Sequence, residues 1–380
     1  MSEFKKVDRC YHCGVVLQTS NKDEKGYINK ETVEKYPNGL LLCNECYSKA
    51  RTNTLPTLNQ IYDNDFKKII DVVKGKNALV VYVVDVFSFE GSFVKELNEA
   101  LEGIDILAIA NKADLLPSNT DLEHVKKYVE HVFKKSNLKV LDCCLVSSNT
   151  GLNIEEMYEK LKELSKGRDV YFIGAIDSGK SAVIKEFLKL YKNNTNHLIT
   201  LYTFKDTTLR GYKIPIGNKQ YIFETPGLYV SNSILDKIDK ASQNKIIPTK
   251  EIKVVKKTIS KNNMLMLGGL CVIQLLSEEK TQFLTYINNE VTVNKTISGR
   301  FSSLEYKFRK GLCIPISKTI KSELDLDMFD ITIDETGSRD LGILGLGWVS
   351  FIGNNQKLRI IVPKGTFIFN IRSKIDHVNK

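Results

Sequence analysis

The first half of the chain alternates between short apolar runs and amphipathic segments. Residues 78–84 are continuously apolar and β-branched and end at Asp85, which is typical of a strand buried on both faces of a parallel sheet. Similar runs predict three further strands, at residues 104–109, 141–146 and 169–173. Apolar residues at helical spacing predict helices at residues 93–101 and 154–164. Strands that alternate with helices in this way predict an α/β fold.

The pattern changes from about residue 250 onward. Apolar, β-branched runs predict strands within residues 264–276, 283–293, 330–333 and 357–362. Turn residues such as Gly268-Gly269 separate these runs, and some helix is expected around residues 302–310. Trp348 either stacks on a nucleobase or belongs to the core. The pattern predicts a β-rich α+β domain, and since no catalytic constellation is evident there, we expect an interaction module.

Composition narrows the class of protein. The chain has 380 residues, 42% hydrophobic and 26% charged, which suits a globular protein of two or three domains. The longest apolar run is too short to span a bilayer, and the first residues lack the apolar stretch of a secretory signal. We therefore expect a cytoplasmic protein without a membrane partner. The net charge of +10 favours a polyanionic partner, although a lysine-rich surface kept for solubility explains it equally well.

Four of the eight cysteines form two CxxC pairs near the start of the chain: Cys10, Cys13, Cys43 and Cys46. This spacing lets four thiolates surround one tetrahedral zinc ion, and a closed site of four cysteines folds a module rather than performing catalysis. His12 lies between two of these ligands and is expected to be a bystander. The other cysteines are expected to be buried thiols: Cys143, Cys144, Cys271 and Cys313.

An NKxD tetrad follows the strand at residues 104–109. The Asp114 carboxylate can accept two hydrogen bonds from guanine, whereas adenine lacks that donor pair. Asn111 is expected to brace the loop, and the Lys112 stem is expected to pack on the base. The next strand leads into Ser147, Ser148 and Asn149, a loop that offers a backbone N–H to guanine O6. The NKxD tetrad by itself is a moderate signal, because a four-residue sequence often occurs by chance.

The strand at residues 169–173 runs directly into a GxxxxGK[ST] sequence, which predicts a phosphate-binding P-loop at the start of a helix. The expected nucleotide-binding residues are Gly174, Asp177, Ser178, Gly179, Lys180 and Ser181. Lys180 would reach the β- and γ-phosphates, and the Ser181 hydroxyl would bind Mg²⁺.

Two further sequences follow the P-loop in order. One contains Thr207 and Thr208, and Thr208 is the predicted Mg²⁺ ligand, although either threonine could be the switch residue. The other is Glu224-Thr225-Pro226-Gly227, in which the carboxylate would hold Mg²⁺ through water and the Gly227 N–H would sense the γ-phosphate. We predict catalytic roles for these residues together with Lys180 and Ser181.

In ordinary GTPases the P-loop precedes NKxD, whereas here the order is NKAD, SSNTG, GAIDSGKS, DTT and ETPG. With two CxxC pairs in front, the chain resembles the YqeH-type GTPases of small-ribosomal-subunit biogenesis nearly from end to end. The resemblance also extends to segments such as residues 248–253, 268–270, 345–349 and 362–365. It implies a circularly permuted GTPase domain, a treble-clef-like zinc module and association with the assembling small subunit and its rRNA.

The sequence departs from the family pattern at three positions. Glu224 replaces the aspartate of DTPG, Asp177 replaces a P-loop asparagine linked to potassium-stimulated turnover, and SSNTG replaces an SA-type sequence. Dependence on K⁺ is therefore open. Leu228 follows Gly227, where Ras-like enzymes carry a water-orienting glutamine, so we predict slow turnover that needs a partner or an ion.

These observations predict a zinc module at residues 1–55, a permuted GTPase domain at 56–235, and a basic linker with an RNA- or protein-interaction domain at 236–380. GTP or GDP, Mg²⁺ and structural Zn²⁺ are the expected cofactors, with no other small-molecule substrate. Two alternatives remain: a hydrolysis-deficient GTP sensor on an RNA-binding scaffold, and a zinc module that binds DNA or protein. Against DNA, the first domain lacks a basic recognition helix.

Overall fold

The computed structural model describes residues 10, 15–35, 41, 43–45, 47, 64–191, 200–203, 210–217, 219–261, 263–297 and 326–375. The chain divides into two compact units. One consists of Leu58–Ser231, and the other combines Met1–Thr57 with Asn232–Lys380. The predicted N-terminal module thus shares a unit with the C-terminal part of the chain.

The unit formed by Leu58–Ser231 contains a seven-stranded sheet with the order β3-β2-β1-β4-β7-β6-β5. The strands are β1 (Leu79–Asp85), β2 (Asp105–Asn111), β3 (Lys139–Leu145), β4 (Val170–Ile173), β5 (Thr200–Thr203), β6 (Arg210–Gly217) and β7 (Gln220–Glu224). The first four and β7 pair in parallel, whereas β6 runs antiparallel to both β7 and β5. The carboxyl ends of β1, β2, β3, β4 and β7 therefore meet at one edge, where open α/β sheets bind their ligands.

The helices of this unit are α2 (Asn64–Lys74), α3 (Phe89–Ser92), α4 (Lys95–Ala100), α5 (Leu122–Lys135), α6 (Ile154–Ser165) and α7 (Lys180–Leu190). Apolar residues of α6 and α7, among them Met157 and Phe187, pack against one sheet face in a common core with β1 and β4. Asp121 caps α5 by accepting the backbone N–H groups of Glu123 and His124.

The four strands predicted in this unit are confirmed, and so is the helix at residues 154–164. The helix predicted at 93–101 corresponds to α4 (Lys95–Ala100), which begins two residues later than predicted because Phe93 and Val94 have non-helical backbone conformations. The short helix α3 precedes the predicted range.

The other unit contains two five-stranded antiparallel sheets, ordered β12-β9-β10-β16-β13 and β17-β14-β15-β11-β8. Their strands are β8 (Val255–Ile259), β9 (Asn263–Leu267), β10 (Cys271–Leu275), β11 (Thr281–Ile287), β12 (Val293–Ile297), β13 (Leu326–Ile333), β14 (Gly337–Ile343), β15 (Gly347–Gly353), β16 (Gln356–Pro363) and β17 (Ile368–Arg372). Both sheets contribute to one apolar core, with residues such as Ile273 and Phe351. The α-helices of this unit include α1 (Lys30–Lys35) and α8 (Lys240–Ile246). The β-rich prediction is confirmed, while the helix expected near 302–310 lies outside the described residues.

Trp348 is buried in this unit, on the face of β15 opposite to Val349 and Phe351 of the shared core. Its side chain is 1% exposed and stacks on Tyr286, with ring centroids 4.9 Å apart. Lys374 Nζ lies 4.0 Å from the centroid of the Trp348 ring. The indole is therefore not available to stack on a nucleobase, and the core alternative holds.

Candidate nucleotide site

The P-loop connects β4 to α7, as the sequence predicts. Gly179 has φ 90°, a left-handed conformation, and a Cβ there would lie 2.2 Å from Asn111 Nδ2. A side chain at this position would therefore collide with the NKxD motif, so glycine is required both by the backbone and by the contact. Ser178 is buried, and its hydroxyl donates to the Ala175 carbonyl oxygen at 2.9 Å.

Lys180 begins α7 and is folded into the P-loop. Its Nζ donates to the carbonyl oxygens of Gly174 and Ala175 at 3.1 and 3.0 Å, and the side chain is buried. Burial lowers the pKa of the Lys180 ammonium to about 8, and the nearby Glu224 and Asp177 carboxylates act in the opposite direction. A phosphate group bound in this loop would restore the charged form of the lysine.

Asn111 lies at the end of β2, is buried, and joins the base-recognition motif to the P-loop. Its Nδ2 donates to the Ser178 carbonyl oxygen at 3.2 Å, while its Oδ1 accepts the Ser148 backbone N–H at 3.0 Å. One side chain thus joins its own strand to two segments that are 37 and 67 residues away from it in sequence. The expected bracing role of Asn111 corresponds to these contacts.

Asp114 lies in a 3₁₀ turn after β2, and both of its carboxylate oxygens accept hydrogen bonds. Ser147 Oγ donates to Oδ1 at 2.7 Å, and Asn149 Nδ2 donates to Oδ2 at 3.0 Å. Ser147 is completely buried, and its Oγ also accepts the backbone N–H groups of Asn149 and Thr150. The structure therefore brings the predicted base-binding residues of two loops together.

Lys112 has a left-handed backbone, with φ 69°, and its Nζ lies 2.7 Å from Asp85 Oδ2. The other Asp85 oxygen accepts the backbone N–H groups of Phe87 and Ser88, so the end of β1 anchors the lysine. Sequence reasoning assigned no role to Asp85. The sequence did contain one indication of a role for Asp85, because a carboxylate there ends a fully apolar strand that precedes the NKxD strand.

Ser181 and Glu224 lie opposite each other, at the start of α7 and the end of β7. The Ser181 hydroxyl donates directly to Glu224 Oε1. A hydroxyl and a carboxylate are the oxygen ligands that Mg²⁺ prefers beside nucleotide phosphates, so these two residues fit a magnesium ion. They would hold it, and the ion would neutralise charge on the phosphates.

The segment after Glu224 lies against the P-loop. The Ile176 N–H donates to the Leu228 carbonyl oxygen at 2.8 Å, and the Leu228 N–H donates to the Gly174 carbonyl oxygen at 3.1 Å. A Cβ on Gly227 would lie 2.9 Å from Ile176 Cα, so only glycine permits this approach. Leu228 is buried, and its aliphatic side chain has no group that could orient water.

Several predicted site residues lie outside the described residues: Thr207, Thr208, Cys13 and Cys46. The other two predicted zinc ligands are close together, because the Cys43 backbone N–H donates to Cys10 Sγ at 3.3 Å. Both cysteines are buried beside apolar residues of the C-terminal strands, including Met264 and Val272. Among the described residues, no group of three or more His, Cys, Asp or Glu side chains could hold a metal ion, and the other two predicted ligands lie outside them.

The chain matches no family model, but it is similar to several known proteins. It is 29% identical to the uncharacterized protein YqeH of Bacillus subtilis over 367 residues, which cover 96% of this chain and 99% of that protein. It is 23% identical to NO-associated protein 1, chloroplastic/mitochondrial, of Arabidopsis thaliana, over 90% of this chain and 69% of that protein. Nitric oxide-associated protein 1 of Mus musculus is 21% identical over 55% of this chain and 37% of that protein.

The mixed α/β sheet, the P-loop and the adjoining NKxD motif define the class as a P-loop protein of the GTPase type. Within that class, the chain is similar to YqeH over nearly its whole length and, at lower identity, to the NO-associated proteins of plants and mammals. Within the ranges that the structure describes, no helix is both long and apolar enough to cross a membrane.

Proposed function

We propose that this protein binds and slowly hydrolyses GTP as an assembly factor for the small ribosomal subunit. The observation that carries the proposal is the contact of Asn111 with both the P-loop and the Ser148 backbone, which joins a guanine-reading motif to a phosphate-binding loop. Mg²⁺ bound by Ser181 and Glu224 would complete the nucleotide site. Residues 204–209 would supply the switch threonine.

We further propose that the GTPase domain is circularly permuted. The NKAD strand β2 precedes the P-loop strand β4 in the chain, yet both lie in one parallel sheet with β1 between them. This neighbour relation is compatible with a rearranged order of the motifs along the chain, since the carboxyl ends of parallel strands meet at one edge of the sheet whichever strand comes first in the chain.

A structural zinc ion held by the four cysteines is part of the proposal. The contact between Cys43 N–H and Cys10 Sγ supports it, because N–H donation to a ligating sulfur is a common feature around metal-bound thiolates. The ion would stabilise the N-terminal segment rather than take part in hydrolysis.

The proposed partner is the rRNA of the small subunit, bound through the segment between Lys237 and Lys261. This segment contains eight lysines and only two acidic residues, Asp239 and Glu251. Lys250, Lys253 and Lys256 are exposed. Among the described residues, no carboxylate forms an ion pair with these three. Exposed ammonium groups of this kind suit phosphate contacts, which release counterions. The proposed location is the cytoplasm.

Connectivity suggests how nucleotide state could affect the partner. The segment containing Gly227 ends one unit at Ser231, and the basic segment of the other unit follows directly in the chain. In this proposal, the γ-phosphate contact at Gly227 changes RNA affinity through that connection. The alternative is that the lysines form only a solvated surface.

Nucleotide specificity tests the central proposal. Purified protein is expected to bind GTP and GDP but not ATP, because adenine has no donor pair for Asp114. Asp114→Asn is expected to weaken guanine binding at least about tenfold by removing a charged acceptor. The same variant should gain xanthine nucleotides, since its amide presents a donor to the 2-oxo group. Equal affinity of the wild type for GTP and ATP in fluorescence titrations would refute the proposal.

A second candidate is a GTP sensor that binds without hydrolysis on an RNA-binding scaffold. The observation in its favour is Glu224, whose side chain is one methylene longer than the aspartate of the DTPG sequence and would hold Mg²⁺ in a weaker geometry. Asp177 adds a negative charge beside the phosphates. Mg²⁺-dependent hydrolysis, measured with and without K⁺ and small subunits, separates the two candidates: turnover in any of these conditions excludes the sensor.

A further inference from the structure

In the proposed guanine site, two protein side chains form hydrogen bonds with the groups that would bind the base. Guanine offers two N–H donors to the carboxylate of Asp114 and one carbonyl acceptor, O6, to a backbone N–H. In the structure, Asn149 Nδ2 supplies a donor to Asp114 Oδ2, and Asn111 Oδ1 supplies an acceptor to the Ser148 N–H. The Asp114 carboxylate and the Ser148 backbone N–H, which would both bind the base, therefore each have a hydrogen-bond partner within the protein.

Asn149 and Asn111 differ in how they are held. Asn111 is buried and anchored to the P-loop through its Nδ2, whereas Asn149 is exposed. The Asn149 backbone is fixed by Ser147 Oγ in a local turn, and this leaves its side chain able to rotate away without disturbing the loop. Asn149 is therefore the mobile member of the pair.

We propose that the Asn149 side chain is an intramolecular competitor of guanine that sets both affinity and base selectivity. This inference rests on the proposed guanine binding. The Asn149 amide donates to the Asp114 carboxylate, and the base must displace this amide to bind. The SSNTG loop of this chain supplies the amide.

Selectivity follows from the same geometry. Inosine diphosphate lacks the exocyclic amine of guanine, so it leaves one oxygen of Asp114 without a base donor. Asn149 can remain on that oxygen when the ligand is inosine, but not when it is guanine. The Asn149 amide thus reduces the loss of binding free energy for inosine diphosphate, because without it one charged oxygen of Asp114 would have no hydrogen-bond donor.

The test compares GDP and inosine diphosphate binding to the full-length wild type, Asn149→Ala and the control Thr150→Ala. Thr150 is an exposed neighbour whose backbone N–H, which the substitution retains, contributes to the turn. Asn149→Ala is expected to bind GDP about threefold to tenfold more tightly, because the competing hydrogen bond is removed. Its preference for GDP over inosine diphosphate should increase by a similar factor. Thr150→Ala should match the wild type.

Weaker GDP binding by Asn149→Ala would overturn the inference, since it would mean that Asn149 contacts the bound base. An unchanged GDP affinity with an unchanged preference would also overturn it. If the wild type and Asn149→Ala both fail to bind GDP, the proposed guanine site fails as well. If only Asn149→Ala binds GDP, the amide competes more strongly than we expect, and both the site and the inference stand.

Discussion

Burial of Lys180 in the P-loop affects both the pKa of its ammonium and its proposed role in nucleotide binding. It lies inside the P-loop on two carbonyl oxygens, and its ammonium is removed from water. A lysine in this environment holds its proton less tightly than usual, while a bound diphosphate would stabilise the proton. The proposed nucleotide binding would therefore be linked to proton binding at Lys180.

The pKa of about 8 at Lys180 predicts how affinity depends on pH. Below pH 7 the lysine is already charged, so nucleotide binding should take up few protons there. Near pH 8.5 most Lys180 side chains are neutral, and binding should take up about three quarters of a proton. Affinity for GDP should fall above pH 8, by up to about tenfold per pH unit. Calorimetry in buffers of different ionisation enthalpy measures this uptake.

Lys180→Arg is the matched control for this measurement, because arginine stays protonated throughout the range. The variant should lose the proton uptake, whatever its affinity. Equal uptake in the wild type and in Lys180→Arg would assign the titration to another group.

At the scale of elements, the end of β1 positions the base-recognition loop that follows β2. Val84 and Asp85 pair with Ala110 and Asn111 in register, which places the Asp85 carboxylate beside the NKxD turn. Its ion pair with Lys112 is partly buried and holds a residue in a left-handed conformation. Such a contact restrains the loop before the base arrives.

Asp85→Asn is a conservative test of this restraint. The amide oxygen can still accept the N–H groups of Phe87 and Ser88, but the ion pair with Lys112 is lost. We expect GDP affinity to fall about threefold to tenfold, mainly through faster dissociation. Stopped-flow kinetics with a fluorescent GDP checks this, with thermal unfolding to confirm an intact fold. An unchanged rate of GDP dissociation would show that the ion pair between Asp85 and Lys112 does not contribute to GDP binding.

The element scale also shows what local pattern can and cannot predict. The strands at 78–84 and 169–173 were predicted because runs of apolar residues have few alternatives to a buried strand. The late start of the helix predicted at 93–101 was not predicted, because the apolar spacing includes Phe93 and Val94 while the backbone at these two residues is not helical. Long-range packing around Phe93, which lies 4.7 Å from Phe133 between ring centroids, is not visible in a local window.

At the scale of the whole molecule, the basic segment predicts salt-dependent RNA binding. Replacing Lys250, Lys253 and Lys256 by glutamine should weaken binding to small-subunit rRNA and reduce the slope of log affinity against log salt by about 2 to 3. The control replaces three exposed lysines of α5: Lys127, Lys134 and Lys135. Filter binding at several salt concentrations measures both variants, and equal losses in the two would indicate a general charge effect.

The same assay with GTP, GDP and no nucleotide tests the proposed switch. Affinity for rRNA is expected to differ between the GTP and GDP states. Identical affinity in all three states would leave a GTPase and an RNA-binding segment that are connected only by the chain.

The sequence by itself determined the types of residue at the nucleotide site, because GxxxxGKS and NKxD depend on local backbone geometry and on the chemistry of phosphate and guanine. It also determined the β-rich nature of the last part of the chain. The tertiary structure decided which groups meet: Asp85 with Lys112, Ser181 with Glu224, and Asn149 with Asp114. These pairs join residues 27 to 43 positions apart. Only the order and register of strands in the sheet bring such residues within hydrogen-bonding distance, and no local pattern records that order.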